Sequence, residues 1–399
     1  MVTTFYPPYN FGGDGIFVHR LAHELADRGH HVEVIHCTDA FRLLAPKGTE
    51  LVADDDPKVE VHRLASPLGF LSPLATQQTG HPFFKAARIR EIFARGFDVI
   101  HFHNISLAGG PGLLKLGDAI KLYTIHEFWL LCPTHTLFKF NREVCVERNC
   151  IPCQLAYRRP PQLWRHTHMM DDAVRHVDTF ISPDRHTIRK HRERWAAMPI
   201  IHLPHFVPPV DLAARDPSAP PYFLYVGRLE KLKGLQTLYP LFRGHPTAEL
   251  WIAGSGTYER ELRAQAAGEP TIRFLGHQSG ARLQELYRQA IAVVVPSINY
   301  EVAPPLVALE AFRQQTPALV SNLGATPEII EQSGGGFVYE DLQDLRSKMD
   351  RLCRDPALRN ELGMRGYRTC NETLSIEAHL AGYFGVIREA AASRGRSLA

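Results

Sequence analysis

The chain has 399 residues, 45% hydrophobic and 22% charged, with a formal net charge of +3. That length exceeds what one hydrophobic core ordinarily serves, so two domains are expected. A near-neutral balance excludes a protein held to nucleic acid by a global basic field, and no apolar run approaches the ~20 residues of a membrane-spanning helix.

Residues 2–5 read as the end of a strand, unusually short, that feeds the turn Phe11-Gly12-Gly13-Asp14-Gly15. Ile16, Val18, Leu21, Leu25 and Ala26 then recur at helical period, and Gly29 closes that helix. Strands are expected at 32–36, 59–64, 98–103, 120–125, 179–182 and 200–203, with a basic amphipathic helix at 82–95. Such alternation implies a doubly wound parallel sheet. Residues 204–221 are proline-rich and read as an interdomain linker. A second alternating series follows, with strands at 223–226, 249–253, 272–275, 291–295 and 318–321 and helices from 342 onward. The expected division is a first domain at 1–208, a linker at 209–221, a second domain at 222–375 and a final helix from 376.

Two strand ends carry the chemistry. The run Tyr222-Phe-Leu-Tyr-Val ends in Gly227, and Arg228, Lys231 and Lys233 follow before Gly234 opens a helix-like segment. Open α/β sheets bind ligands at this edge. The cations and free backbone N–H groups there suit a diphosphate. After the apolar run 291–295, Glu301 and Glu310 bracket a loop that enters a helix near Pro305. Both are anionic, so they are unfit for phosphate but able to accept hydrogen bonds from hydroxyls. Cations for a diphosphate and carboxylates for hydroxyls together indicate a nucleotide-sugar.

Gly227-Arg228 with Lys233-Gly234, the Gly254-Ser-Gly256 turn, the Glu301 to Glu310 segment and the Phe11 to Gly15 turn resemble family 4 retaining glycosyltransferases. The resemblance implies the GT-B architecture: two Rossmann-like α/β domains facing a deep cleft, with the final helix crossing back to the first. It implies a nucleoside-diphosphate-sugar donor, most simply a UDP- or GDP-sugar, held by Gly12, Gly13, Gly15, Arg228, Lys233, Gly254, Gly256, Gly276, Glu301 and Glu310. Glu310 would take the ribose hydroxyls. His126, Arg228, Lys233 and Glu301 would carry catalysis, and His103 with Asn104 would line the acceptor pocket. Asp14 would face the acceptor or solvent. The acceptor would be a glycan, a lipid-linked sugar or a small molecule. No first-domain carboxylate has a nucleophile signature, which favours same-face return, and no acidic divalent-metal motif is visible, so no catalytic metal is expected. The sequence departs from the family pattern in one place. Eight residues separate Glu301 and Glu310 where seven are usual, and Val302-Ala303-Pro304-Pro305 replaces a glycine-bearing loop. A sugar-nucleotide epimerase on the same architecture, or an inactive sugar-nucleotide-binding protein, stays open.

Cys132, Cys145, Cys150 and Cys153 form C-x12-C-x4-C-x2-C inside an insertion spanning about 130–165. Four thiolates suit structural Zn2+; the spacing also fits an iron–sulfur cluster, free thiols or a conditional disulfide. The total of seven cysteines is odd, so reduced thiols in the cytoplasm are expected, and Tyr6-Pro7-Pro8-Tyr9-Asn10 interrupts any signal-peptide core. The basic, aromatic stretches 157–168 and 185–195 suit either a solvated face or peripheral contact with an anionic membrane.

Overall fold

The computed structural model describes residues 1–45, 49, 51, 57–243, 247–303 and 305–396. The second lobe is built on a six-stranded parallel sheet, in the spatial order Ile272–Gly276, Glu249–Ala253, Tyr222–Val226, Ala292–Val295, Ala318–Ser321, Gly336–Tyr339. In chain order that is 3-2-1-4-5-6, the doubly wound arrangement whose binding crevice opens where the order reverses. Here the reversal lies between Tyr222–Val226 and Ala292–Val295, so residues after 226 and after 295 line one crevice.

The first lobe repeats the scheme around a stub. Val2 alone makes parallel bridges to Ile35 on one side and Phe102 on the other. It thereby joins Val32–Cys37 and Val59–Leu64 to the four strands Val99–Phe102, Ile120–Thr124, Thr179–Ser182 and Ile200–His202. The short first strand is tolerated because its neighbours supply the ladder: Val2 N–H reaches His101 O at 2.8 Å, and His103 N–H reaches Val2 O at 2.9 Å. Central strands in both lobes are buried along their whole length, as expected of sheets covered on both faces.

The expected strands appear within about a residue or two of their limits, but several elements differ. Gly336–Tyr339 forms a sixth strand that the glycine run 334–336 disguises as a turn. A Cβ at Gly336 would sit 1.8 Å from Ala318 O, so glycine is what lets this strand pair. A helix at Leu71–Thr79 and a hairpin of Phe138–Lys139 with Glu143–Val144 were not expected either. The segment after Gly234 is not one helix. It breaks into a 3₁₀ turn at Leu235–Thr237 and a single turn at Tyr239–Phe242, because Pro240 has no N–H to continue the ladder. Helix-dipole support for an anion there is correspondingly small.

The final helix, Ile376–Ser393, lies on the first lobe. Leu380, Tyr383, Val386 and Ile387 pack in one cluster with Phe17, Leu21, Val34 and Leu122. Arg394 fastens its end, with Nε 2.6 Å from Asp178 Oδ1 and Nη1 donating to Ala119 O at 2.8 Å. Beneath it lies a group of histidines. His101 contacts the Tyr383 hydroxyl at 3.1 Å and Thr124 Oγ1 at 2.8 Å, and His379 Nδ1 lies 2.7 Å from Pro204 O.

Burial lowers the pKa of these rings: His101, His103 and His205 well below the ordinary histidine range, His126 and His379 to about 4. The unfolded chain takes up these protons near pH 6.5, whereas the folded chain resists until far lower pH. Stability therefore falls as pH drops below 6.5, by about 1.4 kcal/mol per pH unit for each proton. Asp184 acts in the opposite direction, since burial raises it to about 6 and the folded state binds its proton first, but it is one group against five. The urea midpoint is expected to be clearly lower at pH 5.5 than at pH 7.5, and equal midpoints would contradict the buried histidine core.

Candidate active site

On the second lobe, Lys233 and Glu301 meet at the crevice. Lys233 Nζ lies 2.7 and 2.9 Å from the two Glu301 carboxylate oxygens, and Ser297 Oγ donates to Oε1 at 2.6 Å. Burial alone would raise the Glu301 pKa; Lys233 and the Ser297 hydroxyl outweigh it and hold the carboxyl below its ordinary range. Gly234 makes this pairing possible. Its φ is +74°, and a Cβ would lie 1.8 Å from Pro296 O, so the two crevice loops touch backbone to backbone. Arg228 is exposed and pairs with Glu230, Nη1 to Oε1 at 2.8 Å. An exposed pair of this kind is worth roughly 0.2–1 kcal/mol and exchanges readily for a better anion.

Glu310 projects from the helix Leu306–Arg313. It accepts from the buried Tyr287 hydroxyl at 2.9 Å and lies 3.5 Å from Arg20 Nη2 of the first lobe. Gly254 and Gly256 pack their turn against Gly227 O and Leu229 O, where side chains would clash at 1.9 and 2.4 Å. Gly276, with φ +71°, ends the neighbouring strand and accepts from Gly254 N–H at 2.8 Å.

On the first lobe, Gly12 caps the helix Gly13–Asp27. A Cβ at Gly13 would sit 2.7 Å from the Leu306 side chain of the opposite lobe, so the lobes approach closely here. Gly15 is closed in by Asn10 and Phe5. His126 is half-buried, with Nε2 2.9 Å from His103 Nδ1. His103 itself is fully buried. It therefore does not line an acceptor pocket, as its sequence position suggested, but stands behind His126.

The two rings share one proton, so one donates and the other accepts. His103 Nε2 is buried without a partner in either tautomer. Asn104 is buried too, donating to Asp14 Oδ2 at 3.2 Å. Asp14 is half-buried beneath it, and its charge favours the protonated form of His126 against the larger effect of burial.

Several contacts across the lobes have no local signature in the sequence. Ala303 N–H donates to Asp184 Oδ2 at 2.9 Å, and Ala303 takes φ +70°, the left-handed conformation that ordinarily favours glycine. Pro304 lies outside the described residues. Asp184 also caps the helix Arg185–Arg192, and Glu328 of the second lobe accepts from the Arg185 and His186 N–H groups at 2.8 and 2.7 Å. His205, buried and stacked on Phe17 at 4.0 Å, adjoins His126. Only Asp184 had a readable signal, as a cap ahead of a helix. No disulfide joins any of the seven cysteines. Among the described residues no helix is long and apolar enough to cross a membrane.

The family model for glycosyltransferase family 4 matches residues 11–211, and that for glycosyl transferases group 1 matches 213–369. Glycogen synthase from Mycobacterium tuberculosis is 29% identical over 90% of this chain and 86% of its own length. A D-inositol 3-phosphate glycosyltransferase from Corynebacterium aurimucosum is 26% identical over 88% and 85%. Among solved structures, sucrose-phosphate synthase from Thermosynechococcus elongatus superposes with a TM-score of 0.74 at 20% identity over 98% of both chains. Anabaena HepE in complex with UDP gives 0.65 at 16% identity over 97% and 99%. These relatives do not favour the epimerase reading. With each lobe matched by a glycosyltransferase model and relatives aligned along nearly the whole chain, the protein belongs to glycosyltransferase family 4 and is a glycosyltransferase of the GT-B fold.

Proposed function

We propose that the protein moves a sugar from a UDP- or GDP-sugar to a hydroxyl of a glycan or similar polyhydroxyl acceptor, with retention at the anomeric carbon and without a catalytic metal. The observation that carries this reading is the Lys233–Glu301 pair at the crevice of the second sheet, with Glu310 nearby on the following helix. HepE, with a similar fold, was solved with UDP, which supports the same class of donor.

In this reading Arg228 leaves Glu230 to grip the diphosphate, and Lys233 shares its ammonium between the diphosphate and Glu301. These fixed cations meet the charge that builds on the leaving group as the glycosyl bond breaks. The donor-facing backbone of Gly12, Gly13 and Gly15 completes the crevice, with Gly254, Gly256 and Gly276 shaping the nucleotide side. Glu310 accepts both ribose hydroxyls, its second oxygen oriented by Tyr287. Glu301 accepts from the transferred sugar. His126 faces the sugar, and His103 holds its ring from behind. The acceptor attacks from the face the diphosphate leaves, and a diphosphate oxygen takes its proton.

The acceptor side lies in the first lobe, near Asn104 and Asp14. The exposed side chains of Leu155 and Leu163 beside Arg158 and Arg159 suit peripheral contact with an anionic membrane, and with it a lipid-linked acceptor at the cytoplasmic face.

Lys233→Ala or Arg228→Ala should lower turnover by about 10²–10³-fold, the scale of one lost oxyanion-stabilising donor. Donor hydrolysis measured by nucleotide release gives the readout without an acceptor, and near-normal turnover in both variants would sink the diphosphate assignment. In a thermal-shift series, UDP or GDP is expected to stabilise the protein more than ADP. Glu310→Gln should weaken that nucleotide by about 10–100-fold, the worth of roughly 1.5–3 kcal/mol of charge-assisted hydrogen bonding. Unchanged affinity in Glu310→Gln would remove the ribose from that carboxylate.

A further inference from the structure

The insertion that follows His126 is anchored at its ends, where Trp129, Leu130 and Trp164 pack into the core of the first lobe, but carries little core of its own between them. Its own hydrophobic cluster consists of Phe128, Leu131, Cys132 and Leu137, with Cys145, Trp195, Tyr300 and Val302 packed against it. Its regular structure is a hairpin of two-residue strands and the seven-residue helix Cys150–Ala156. Five non-glycine residues here, His135, Leu137, Phe140, Asn141 and Arg158, have positive φ. Each such conformation costs on the order of 1–2 kcal/mol. A segment this small and this strained needs a staple.

The four cysteines occupy the corners of that segment. Cys132 ends the turn after Phe128–Leu130, and Cys145 directly follows the hairpin, its N–H donating to Leu137 O at 2.7 Å. Cys150 opens the helix and Cys153 stands one turn on, so the two share a face. Cys153 Sγ accepts from Phe140 N–H at 3.3 Å, which holds it beneath the hairpin tip. Cys145 also packs against the small cluster that contains Cys132.

Arg165 is the independent observation. Its guanidinium donates to Gln162 Oε1 at 2.5 Å and to Trp129 O at 2.8 Å, and stacks between the Trp129 and Trp164 rings at 5.3 and 4.7 Å. Among the described residues no carboxylate pairs with it. This half-buried guanidinium, bonded to the Trp129 carbonyl three residues before Cys132, is a cation placed beside the cluster.

We propose that Cys132, Cys145, Cys150 and Cys153 bind one zinc ion as four thiolates, with Arg165 countering the charge of the complex. Four S–H bonds lose their protons to water and four Zn–S bonds form; the site then carries a net charge of −2, and no electron is transferred. No three of these sulfurs yet lie within the 4.8 Å that gathers His31, Glu33 and Glu60 elsewhere. Zn–S bonds of about 2.3 Å would draw them to about 3.8 Å from one another. At His31, Glu33 and Glu60 the Arg95 guanidinium already bonds both carboxylates, at 3.0 and 2.9 Å, so that trio offers no comparable site. The insertion touches Tyr300 and Val302 of the donor loop, so zinc would stiffen one wall of the cleft.

The test is elemental analysis of the reduced full-length chain purified without chelator. About one zinc per chain is expected, lost together with several degrees of melting temperature on chelation and restored by zinc alone. Cobalt substituted into the wild-type chain should give the absorption bands of a tetrahedral thiolate site, a readout that needs no folded variant. Cys150→Ser and Cys153→Ser should each lower zinc retention at least tenfold, while Cys353→Ser retains it. Absence of zinc with no uptake on titration would overturn the proposal, as would stoichiometric iron with sulfide, a disulfide among the four in the reduced chain, or equal loss in Cys353→Ser.

Discussion

One ammonium held between the two oxygens of Glu301 organises the cleft of this glycosyltransferase. Lys233 and Glu301 come from loops that follow different strands, 68 residues apart in sequence. They meet because a doubly wound sheet brings its first and fourth strands together. The pairing also settles ionisation: a carboxylate drawn out of water beside a cation stays charged. Glu310 is treated differently. Its partners are the Tyr287 phenol at 2.9 Å and, across the cleft, the Arg20 guanidinium at 3.5 Å.

The opposite wall relies on burial more than charge. His126 is tied through Nε2 to His103, and the rings behind it resist protonation because they sit in a nearly dry core. The two walls are clasped away from the chemistry. Asp184 holds Ala303, and Glu328 covers the N-terminus of a helix in the other lobe, where exposed N–H groups and the helix dipole attract a carboxylate. Strain at Ala303 is thus maintained from across the cleft rather than by its own loop.

Much of this was legible in the sequence because it is local. Strand ends, glycine turns and charged residues two to seven positions beyond an apolar run are read along the chain, and Arg228, Lys233 and Glu301 fall in that class, with Glu310 farther on along the helix that follows. The illegible part is what the chain brings together from afar. Asp184 and Ala303 are 119 residues apart, and Arg20 and Glu310 are 290. The period of two placed His101 and His103 on one face of a strand, yet whether that face met solvent or protein depended on a helix that begins at Ile376. Likewise, the strand at Gly336–Tyr339 was not expected, since only the neighbouring strand explains why side chains are excluded there.

That last helix has a consequence for how the molecule is made. Tyr383, Leu380 and Val386 occupy the core of the first lobe, although the ribosome synthesises them after the entire second lobe. The earlier half of the chain emerges with a gap in its interior and His101 lacking its phenol partner. It waits, incomplete, while the later half assembles. Biogenesis therefore runs out of order: the second lobe is the unit able to finish on its own, and the first is sealed afterwards.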